Sequence, residues 1–326
     1  PMGVHTGDSM VVAPAQTLTA REYKQYADYC RRIIRKIGIT GGGANIQFGG
    51  NPDNGEIVII EVNPRLSRSS ALASKATGFP IARVATKLAV GLTLDEVRND
   101  VTGRTSAFHE PTVDYCVFKL ARFTFEKFPQ ADPTINTSMK SVGEAMSIGR
   151  NFKEALQKGI RSLENQRFGL GFDKKEFDPE KFQDLDEIRQ KLRVPNAERL
   201  FYVKLALEKG LSLEEIYDLS KIDRWFLHNI REIVEEGHSL KKFQGLMNKA
   251  RRDWDIPDAP KDLVEARLQI LNQLNGFVLA PVWLSLRRAS DAGRINIDPE
   301  KTMNRSNIGG NVKNMDLAFQ WAEHAG

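Results

Sequence analysis

Residues 44–63 read ANIQFGGNPDNGEIVIIEVN, two strand-like runs with a string of turn residues between them. Two apolar runs, 44–49 and 56–63, lie on either side of the turn residues 51–55. Strand-like runs separated by Asn, Pro, Asp and Gly are typical of a β-hairpin. The sequence therefore predicts two antiparallel strands joined by a short connection.

Polar residues recur at every second position near the open end of this hairpin. Asn45 and Gln47 share one face of the first strand, and Glu61 and Asn63 share one face of the second. Antiparallel pairing can bring these faces together, which places a carboxylate beside amide oxygens. Because Mg²⁺ and Mn²⁺ prefer oxygen ligands, these residues could form a divalent metal site. The pattern alone favours the alternative, a strand that leaves the core into a polar turn.

Two arginines follow the second strand directly. Arg65 and Arg68 carry planar guanidinium groups, which bind oxyanions through two parallel hydrogen bonds. A metal with two arginines beside it suits phosphoryl transfer, because that chemistry depends mostly on positioning and charge neutralisation. For Arg68 the alternative is a residue at a helix start that pairs with a nearby carboxylate.

The stretches around the hairpin predict further helices and strands. A capping box at 19–22 begins a helix that ends at Gly38 and carries Cys30 on a buried face. The remaining elements predicted before residue 150 are a helix over 67–76 ended by Gly78, a helix over 81–89, a capping box at 93–96 and a strand over 114–120.

The chain after residue 151 is predicted to be almost wholly helical. Its signals are a capping box at 212–215, a helix over 222–236 and two amphipathic helices between 261 and 289. Together these patterns predict an α+β chain in three parts. The parts are an α+β domain over 1–150, a helical domain over 151–245 and a mostly helical tail over 246–326.

Composition excludes several classes of protein. The 326 residues are 41% hydrophobic and 27% charged, which is ordinary for a globular chain. The net charge of +5 is scattered, so no nucleic-acid partner is expected. No apolar run approaches about 18 residues and the first residues lack signal-peptide features, so no membrane segment is expected. Two cysteines, Cys30 and Cys116, favour a reducing, cytoplasmic location.

Six stretches of the chain resemble the large subunit of carbamoyl-phosphate synthetase. They are HTGDS (5–9), VAPAQTL (12–18), IEVNPR (60–65), SRSSALASKATGFPIA (67–82), MKSVGE (139–144) and DRWFL (223–227). The resemblance covers about residues 1–240. It implies that 1–150 is the C-terminal part of an ATP-grasp domain, with an antiparallel sheet and flanking helices. It further implies that 151–245 begins the helical oligomerisation domain.

The resemblance implies roles for the residues of the hairpin and the segment after it. Gln47, Glu61 and Asn63 would hold the Mg²⁺ or Mn²⁺ ions that bridge the phosphates of ATP. Arg65 and Arg68 would face bicarbonate, carboxyphosphate or the γ-phosphate. The family makes carbamoyl phosphate from bicarbonate, ammonia released from glutamine, and two ATP, and this part would form carbamate.

Other implied roles fall on the first loop and on segment 139–144. Gly3, Val4 and His5 would lie against the nucleotide, whereas the residues alone favour an ordinary loop histidine at His5. Met139 and Glu144 would lie near an interior passage for carbamate, although Glu144 alone could be a solvated charge. The implied partners are a glutamine amidotransferase small subunit and the N- and C-terminal parts of the synthetase.

The sequence also departs from the family. In the family, the region with most nucleotide contacts comes before the part that residue 1 matches, and this sequence does not contain that region. We therefore expect an incomplete ATP site that binds ATP weakly alone. The resemblance fades after about residue 240. Unpaired sheet edges and apolar faces predict self-association. The alternative to a catalytic role is therefore a truncated, non-catalytic fragment that acts through helical self-association.

Overall fold

The structure, a computed structural model, describes residues 2–171, 173, 175–177, 182 and 184–253. The two helices predicted between 261 and 289, and the predicted tail after residue 253, lie outside the described residues. The chain divides into two compact units after Val234. The strands and helices that pack against one another lie in the first unit, Pro1–Val234. Within the described part, every helix is too short or too polar to cross a membrane.

The described residues form an α+β fold with antiparallel sheets, as predicted. The strands are β1 Val11–Ala13, β2 Asn45–Gly50, β3 Ile57–Asn63, β4 Cys116–Arg122 and β5 Gly143–Gly149. The helices are α1 Ala20–Ile37, α2 Arg68–Thr77, α3 Ile81–Ala89, α4 Phe152–Ser162, α5 Leu185–Arg193, α6 Arg199–Glu208, α7 Leu213–Ser220 and α8 Arg224–Asp253.

The strands belong to two separate sheets. One has the order β1-β4-β5, and all its neighbours are antiparallel. The other is the predicted hairpin of β2 and β3, which is confirmed, with Gly50 opposite Ile57 at the turn end and Asn45 opposite Asn63 at the open end. A register shift lies between Gln47 and Phe48. The hairpin therefore presents its polar residues at the end away from its turn.

Helix α1 has the caps that its sequence predicts. The Glu22 amide donates to Thr19 Oγ1, the Thr19 amide donates to Glu22, and Gly38 ends the helix at a φ of 84°. The expectation that Cys30 lies on a buried face was wrong, because Cys30 is half-buried and α1 has no fully buried residue. Its apolar stripe is only partly covered, for example where Tyr26 contacts Phe48 edge-on at 5.2 Å.

The second predicted capping box, at 93–96, forms the bonds from Thr93 to the Glu96 carboxylate without starting a helix. The Thr93 amide and hydroxyl both donate to Glu96, at 2.9 and 3.0 Å. The chain makes a single turn there and then enters an antiparallel bridge between Arg98 and Ser106. The bridge pairs the backbone that would otherwise extend the helix, so the local signal is overridden.

The main hydrophobic core joins the β4–β5 sheet to the helices that follow it. Phe118 of β4 packs edge-on against Phe152 of α4 at 5.3 Å, and Phe152 packs against Trp225 of α8 at 5.2 Å. Ile188 of α5 and Leu227 of α8 belong to the same cluster and are fully buried. The core thus contains side chains from both sides of residue 150.

A half-buried arginine joins the ends of two helices. Arg199 donates from Nε to the carbonyl of Leu192 and from Nη2 to the carbonyl of Ser220, both at 2.8 Å. These carbonyls lie near the C-termini of α5 and α7, where a cation is favourable. Burial lowers the pKa of Arg199 to about 10, so the guanidinium stays charged at neutral pH.

Helix α4 packs so closely on the sheet that its Gly159 cannot carry a side chain. A Cβ at Gly159 would overlap Leu120 Cδ1 and lie 3.0 Å from Ser147 Oγ. Alanine favours helices over glycine by about 1 kcal/mol, but overpacking a core costs about 1–3 kcal/mol. The steric loss therefore exceeds the gain in helix propensity.

We expect Gly159→Ala to lower the free energy of unfolding by about 1 kcal/mol or more, measured by urea denaturation. The matched control is Gly143→Ala in β5, where an added Cβ meets nothing within 4 Å. That control is expected to change stability by less than about 0.5 kcal/mol. Equal stability of the two variants would contradict the close packing of α4 on the sheet.

Candidate functional site

The open end of the hairpin brings the four predicted polar residues together. Gln47 lies directly opposite Glu61, and Asn45 lies directly opposite Asn63. Gln47 Nε2 donates to Asn45 Oδ1 at 3.1 Å, and Asn63 Nδ2 donates to Glu61 Oε1 at 2.6 Å. The amide nitrogens of Gln47 and Asn63 thus donate along their own strands, and Gln47 Oε1 and Glu61 Oε2 take no part in these two bonds.

One of these oxygens is buried and has no partner. Gln47 Oε1 accepts no hydrogen bond in the structure. An unpaired buried acceptor costs about 1–3 kcal/mol, and a bound cation would remove that cost. The donor set of one carboxylate and amide oxygens fits Mg²⁺ or Mn²⁺, which often use one or two carboxylates. No group of three or more His, Cys, Asp or Glu suited to a metal occurs among the described residues.

The two arginines after β3 point to different places. Arg65 is exposed, and its Nη1 donates to the neighbouring carbonyl of Leu66 at 3.0 Å. Arg68 is the first residue of α2, and its Nη2 lies 2.8 Å from Met139 Sδ. Arg68 therefore contacts the segment before β5, whereas Arg65 stays with its own chain neighbour.

The loop before β1 forms a second cluster around His5. The His5 amide donates to the carbonyl of Asn136 at 2.8 Å, and the Gly7 amide donates to His5 Nδ1 at 3.0 Å. A Cβ at Gly7 would lie 2.9 Å from Met139 Sδ, so only glycine leaves room for this contact. Met139 thus lies against both Gly7 of this loop and Arg68.

Gly3 and Val4, the other predicted nucleotide contacts, precede this cluster. Gly3 has a φ of 89°, which favours glycine, and is exposed, while Val4 is half-buried. Their neighbour Met2 reaches the hairpin, because a Cβ at Gly49 would lie 2.8 Å from Met2 Sδ. This first segment therefore runs from the β2 strand towards the His5 loop.

Two buried charges in this region were missed by the sequence analysis. Asp8 is 6% exposed and accepts the amides of Lys140 and Ser141, each at 2.9 Å. Lys119 Nζ donates to the carbonyls of Gly7 and Ser9, at 2.7 and 2.8 Å. The signal for Lys119 was a lone lysine within the apolar run of β4, a position at which a buried charge needs partners.

Glu144 partly balances the charge of Lys119. Glu144 Oε2 lies 3.9 Å from Lys119 Nζ, and its side chain is 23% exposed. Burial lowers the pKa of Lys119, and the nearby Glu144 and Asp8 oppose that shift. Glu144 and Met139, the two residues predicted to lie along a passage, thus border the same loop.

The hairpin group and the His5 group make separate polar contacts. Among the described residues, the side-chain hydrogen bonds of Asn45, Gln47, Glu61 and Asn63 stay within the hairpin. Those of His5, Asp8 and Lys119 join the first loop to β4 and to residues 140 and 141. The hairpin oxygens can supply a site for a cation. Arg65 and Arg68, which follow β3 in the sequence, can supply positive charge for an oxyanion.

Two family models match the chain. Residues 1–97 match the "Carbamoyl-phosphate synthase L chain, ATP binding domain", and residues 144–254 match the "Carbamoyl-phosphate synthetase large chain, oligomerisation domain". Among solved structures, the chain is similar to a multifunctional pyruvate carboxylase from Rhizobium etli at 15% identity and a TM-score of 0.36, over 47% of this chain and 18% of that chain.

Curated relatives match more strongly. The carbamoyl phosphate synthase large chain of Archaeoglobus fulgidus is 55% identical over 265 residues, which is 81% of this chain and 24% of that protein. The N-terminal section of the large chain from Aquifex aeolicus is 51% identical over 287 residues, which is 85% of this chain and 50% of that protein. The chain spans half or less of the length of these relatives. The two family models and these identities show that the chain belongs to the carbamoyl-phosphate synthase large-chain family.

Proposed function

We propose that this chain contributes to ATP-dependent phosphorylation of bicarbonate and to the formation of carbamate from ammonia or glutamine-derived ammonia. The observation that carries the proposal is the buried, unpartnered Gln47 Oε1 opposite Glu61. This is the kind of oxygen pair that a phosphoryl-transfer site uses to hold a divalent cation. Membership of the family supplies the reaction.

In this proposal Gln47, Glu61 and Asn63 hold Mg²⁺ or Mn²⁺ with ATP. The bound ion would neutralise the negative charge of the phosphate oxygens. Asn63 donates to Glu61 Oε1, which fixes the carboxylate and leaves Glu61 Oε2 available as a ligand. The bond from Gln47 Nε2 to Asn45 directs Gln47 Oε1, on the other side of the amide group, away from Asn45. Both contacts prearrange the oxygens, which reduces the reorganisation needed on binding.

The first loop and the arginines act on the anionic groups. Gly3, Val4 and His5 would lie along the nucleotide, and an exposed glycine lets the backbone approach a phosphate closely. Arg68 contacts Met139, and Met139 packs against Gly7 of the His5 loop, so we propose that Arg68 and His5 face the same bicarbonate or γ-phosphate oxygens. Arg65 is exposed and would turn towards carboxyphosphate from the end of β3.

We also propose that Met139 and Glu144 border the exit for carbamate. The Met139 side chain is 46% exposed, and Glu144 stays beside Lys119. A carboxylate paired with a buried ammonium gives a wall of mixed charge, which can hold an anion without trapping it. The passage would begin at the His5 loop and follow β5.

The proposed architecture is the C-terminal part of an ATP-grasp domain over 1–150, followed by a helical oligomerisation-type domain over 151–245. The proposed partners are the remaining N- and C-terminal parts of the large chain and a glutamine amidotransferase small subunit. Support comes from the two family models and from the share of each relative that the chain spans. We also propose a cytoplasmic location, because only two cysteines among 326 residues favour a reducing compartment.

A second function, self-association without catalysis, is favoured by one observation. Val58, Ile59 and Ile60 of β3 are 44–53% exposed, although strand residues of this kind usually pack in a core. Consecutive strand residues point to opposite faces, so both faces of the hairpin carry exposed apolar groups. Such a strand pairs readily with another copy or with the rest of the large chain.

Bicarbonate-dependent ATP hydrolysis tests the catalytic proposal. With the remaining large-chain parts supplied, we expect Glu61→Gln to lower the rate at least about 100-fold, because removing a group that stabilises the transition-state charge typically costs 10²–10³-fold. The matched control is Glu56→Gln at the turn end of the same strand pair, which should keep the parental rate. Equal rates in the two variants would overturn the assignment of Glu61.

Sedimentation equilibrium tests the self-association proposal. We expect the average mass of the chain to rise with concentration, and Ile59→Glu to reduce that rise, because a charge would be buried at the contact. The control is Val90→Glu after α3, at a valine that is 78% exposed. A monomer at every concentration, or equal effects of the two variants, would rule out association through β3.

A further inference from the structure

Lys119 is a buried cation whose two hydrogen bonds to the first loop play no part in the proposed chemistry. Its side chain is 8% exposed, and its ammonium donates to the carbonyls of Gly7 and Ser9. These two carbonyls lie on either side of Asp8 in the first loop. Lys119 therefore holds the loop against the middle of β4.

Asp8 holds the same loop from the other side. Its two carboxylate oxygens accept the amides of Ser141 and Lys140, one each, at 2.9 Å. These amides lie directly after Met139 and before β5. The loop is thus fixed by both charged groups. Lys119 donates to backbone carbonyls of the loop, and Asp8 accepts from the backbone amides of the segment before β5.

The result of this double attachment is a defined orientation of His5. The Gly7 amide donates to His5 Nδ1, and the carbonyl of that same Gly7 accepts from Lys119. A ring nitrogen that accepts a hydrogen bond carries no proton, so a neutral His5 has its proton on Nε2. The position of Gly7 therefore decides which nitrogen of His5 can donate.

We propose that Lys119 and Asp8 are positioning residues, which hold the loop so that His5 is kept as the Nε2–H tautomer and donates to an oxyanion beside Arg68. The identity of that oxyanion, a phosphate or bicarbonate oxygen, rests on the proposed function. The tautomer itself does not. Neither Lys119 nor Asp8 touches the ligand in this account, since both act through Gly7 and Met139.

The charges around Lys119 explain why a neutral residue could not replace it. Glu144 lies 3.9 Å from the ammonium, and Asp8 also favours its charged form, whereas Arg68 opposes it. Without the ammonium, two carbonyls lose their donor and two carboxylates lose a shared cation. The loop should then leave β4, and the Gly7 amide should no longer be fixed on His5 Nδ1.

The test is the tautomer of His5 in the full chain with ¹⁵N-labelled histidine, read from long-range ¹H–¹⁵N spectra above pH 7.5. The chain has five histidines, and the His5 signals are identified by their loss in His5→Gln. We expect wild-type His5 to show the pure Nε2–H pattern. Lys119→Met should replace it with the averaged shifts of a tautomer mixture.

The matched control is Lys140→Met, because the Lys140 ammonium pairs with Asp132 at 2.8 Å while its backbone amide still serves Asp8. This variant should keep the wild-type His5 pattern. If Lys119→Met does not fold, Asp8→Asn gives the same readout, since one amide would then face an NH₂ group. Its His5 signals are expected to shift in the same direction.

Two outcomes would overturn the proposal. One is a wild-type His5 with its proton on Nδ1, and the other is an unchanged Nε2–H pattern in folded Lys119→Met or Asp8→Asn. A loss of thermal stability with the tautomer unchanged would assign the pair a structural role alone. Because no ligand is present, failure of the ATP hydrolysis test would leave this result standing.

Discussion

An amide oxygen that is buried without a donor is the constraint around which the proposed site is built. Gln47 Oε1 lies at the open end of the hairpin, directly across from Glu61. Strand pairing fixes its position, and the Gln47 amide nitrogen is already committed to Asn45. The protein cannot satisfy this oxygen by a small rotation without losing another bond. A cation that binds there with ATP would turn a cost in stability into a contribution to binding.

The rest of the molecule holds the neighbouring groups in place through one core and one loop. Phe152 links the sheet to the helices after it through its contacts with Phe118 and Trp225. The sheet side of that core includes β4, whose Lys119 points away from Phe118 and fixes the first loop. Helical packing and the orientation of His5 are therefore connected through a single strand. This offers a physical reason for a helical segment to follow the ATP-binding segment in one chain.

Much of this fold could be predicted from local patterns in the sequence. The turn residues 51–55 and the alternation in 56–63 predicted the hairpin, and they placed Gln47 and Glu61 on facing sides because a strand has a period of two. Patterns failed where distant packing decides the result. Cys30 is only half-buried because little covers α1, and Thr93 caps a turn because a bridge follows it. Lys119 and Asp8 were missed because their partners lie more than 100 residues away in sequence.

A crystal structure of the chain with Mn²⁺ and an ATP analogue, examined by anomalous scattering at the manganese edge, would show directly whether the hairpin binds a cation. We expect a peak within about 2.5 Å of both Gln47 Oε1 and a Glu61 oxygen, the range of metal–oxygen ligand distances. A structure in which the ion binds elsewhere and Gln47 Oε1 accepts a hydrogen bond from a protein donor would contradict this expectation.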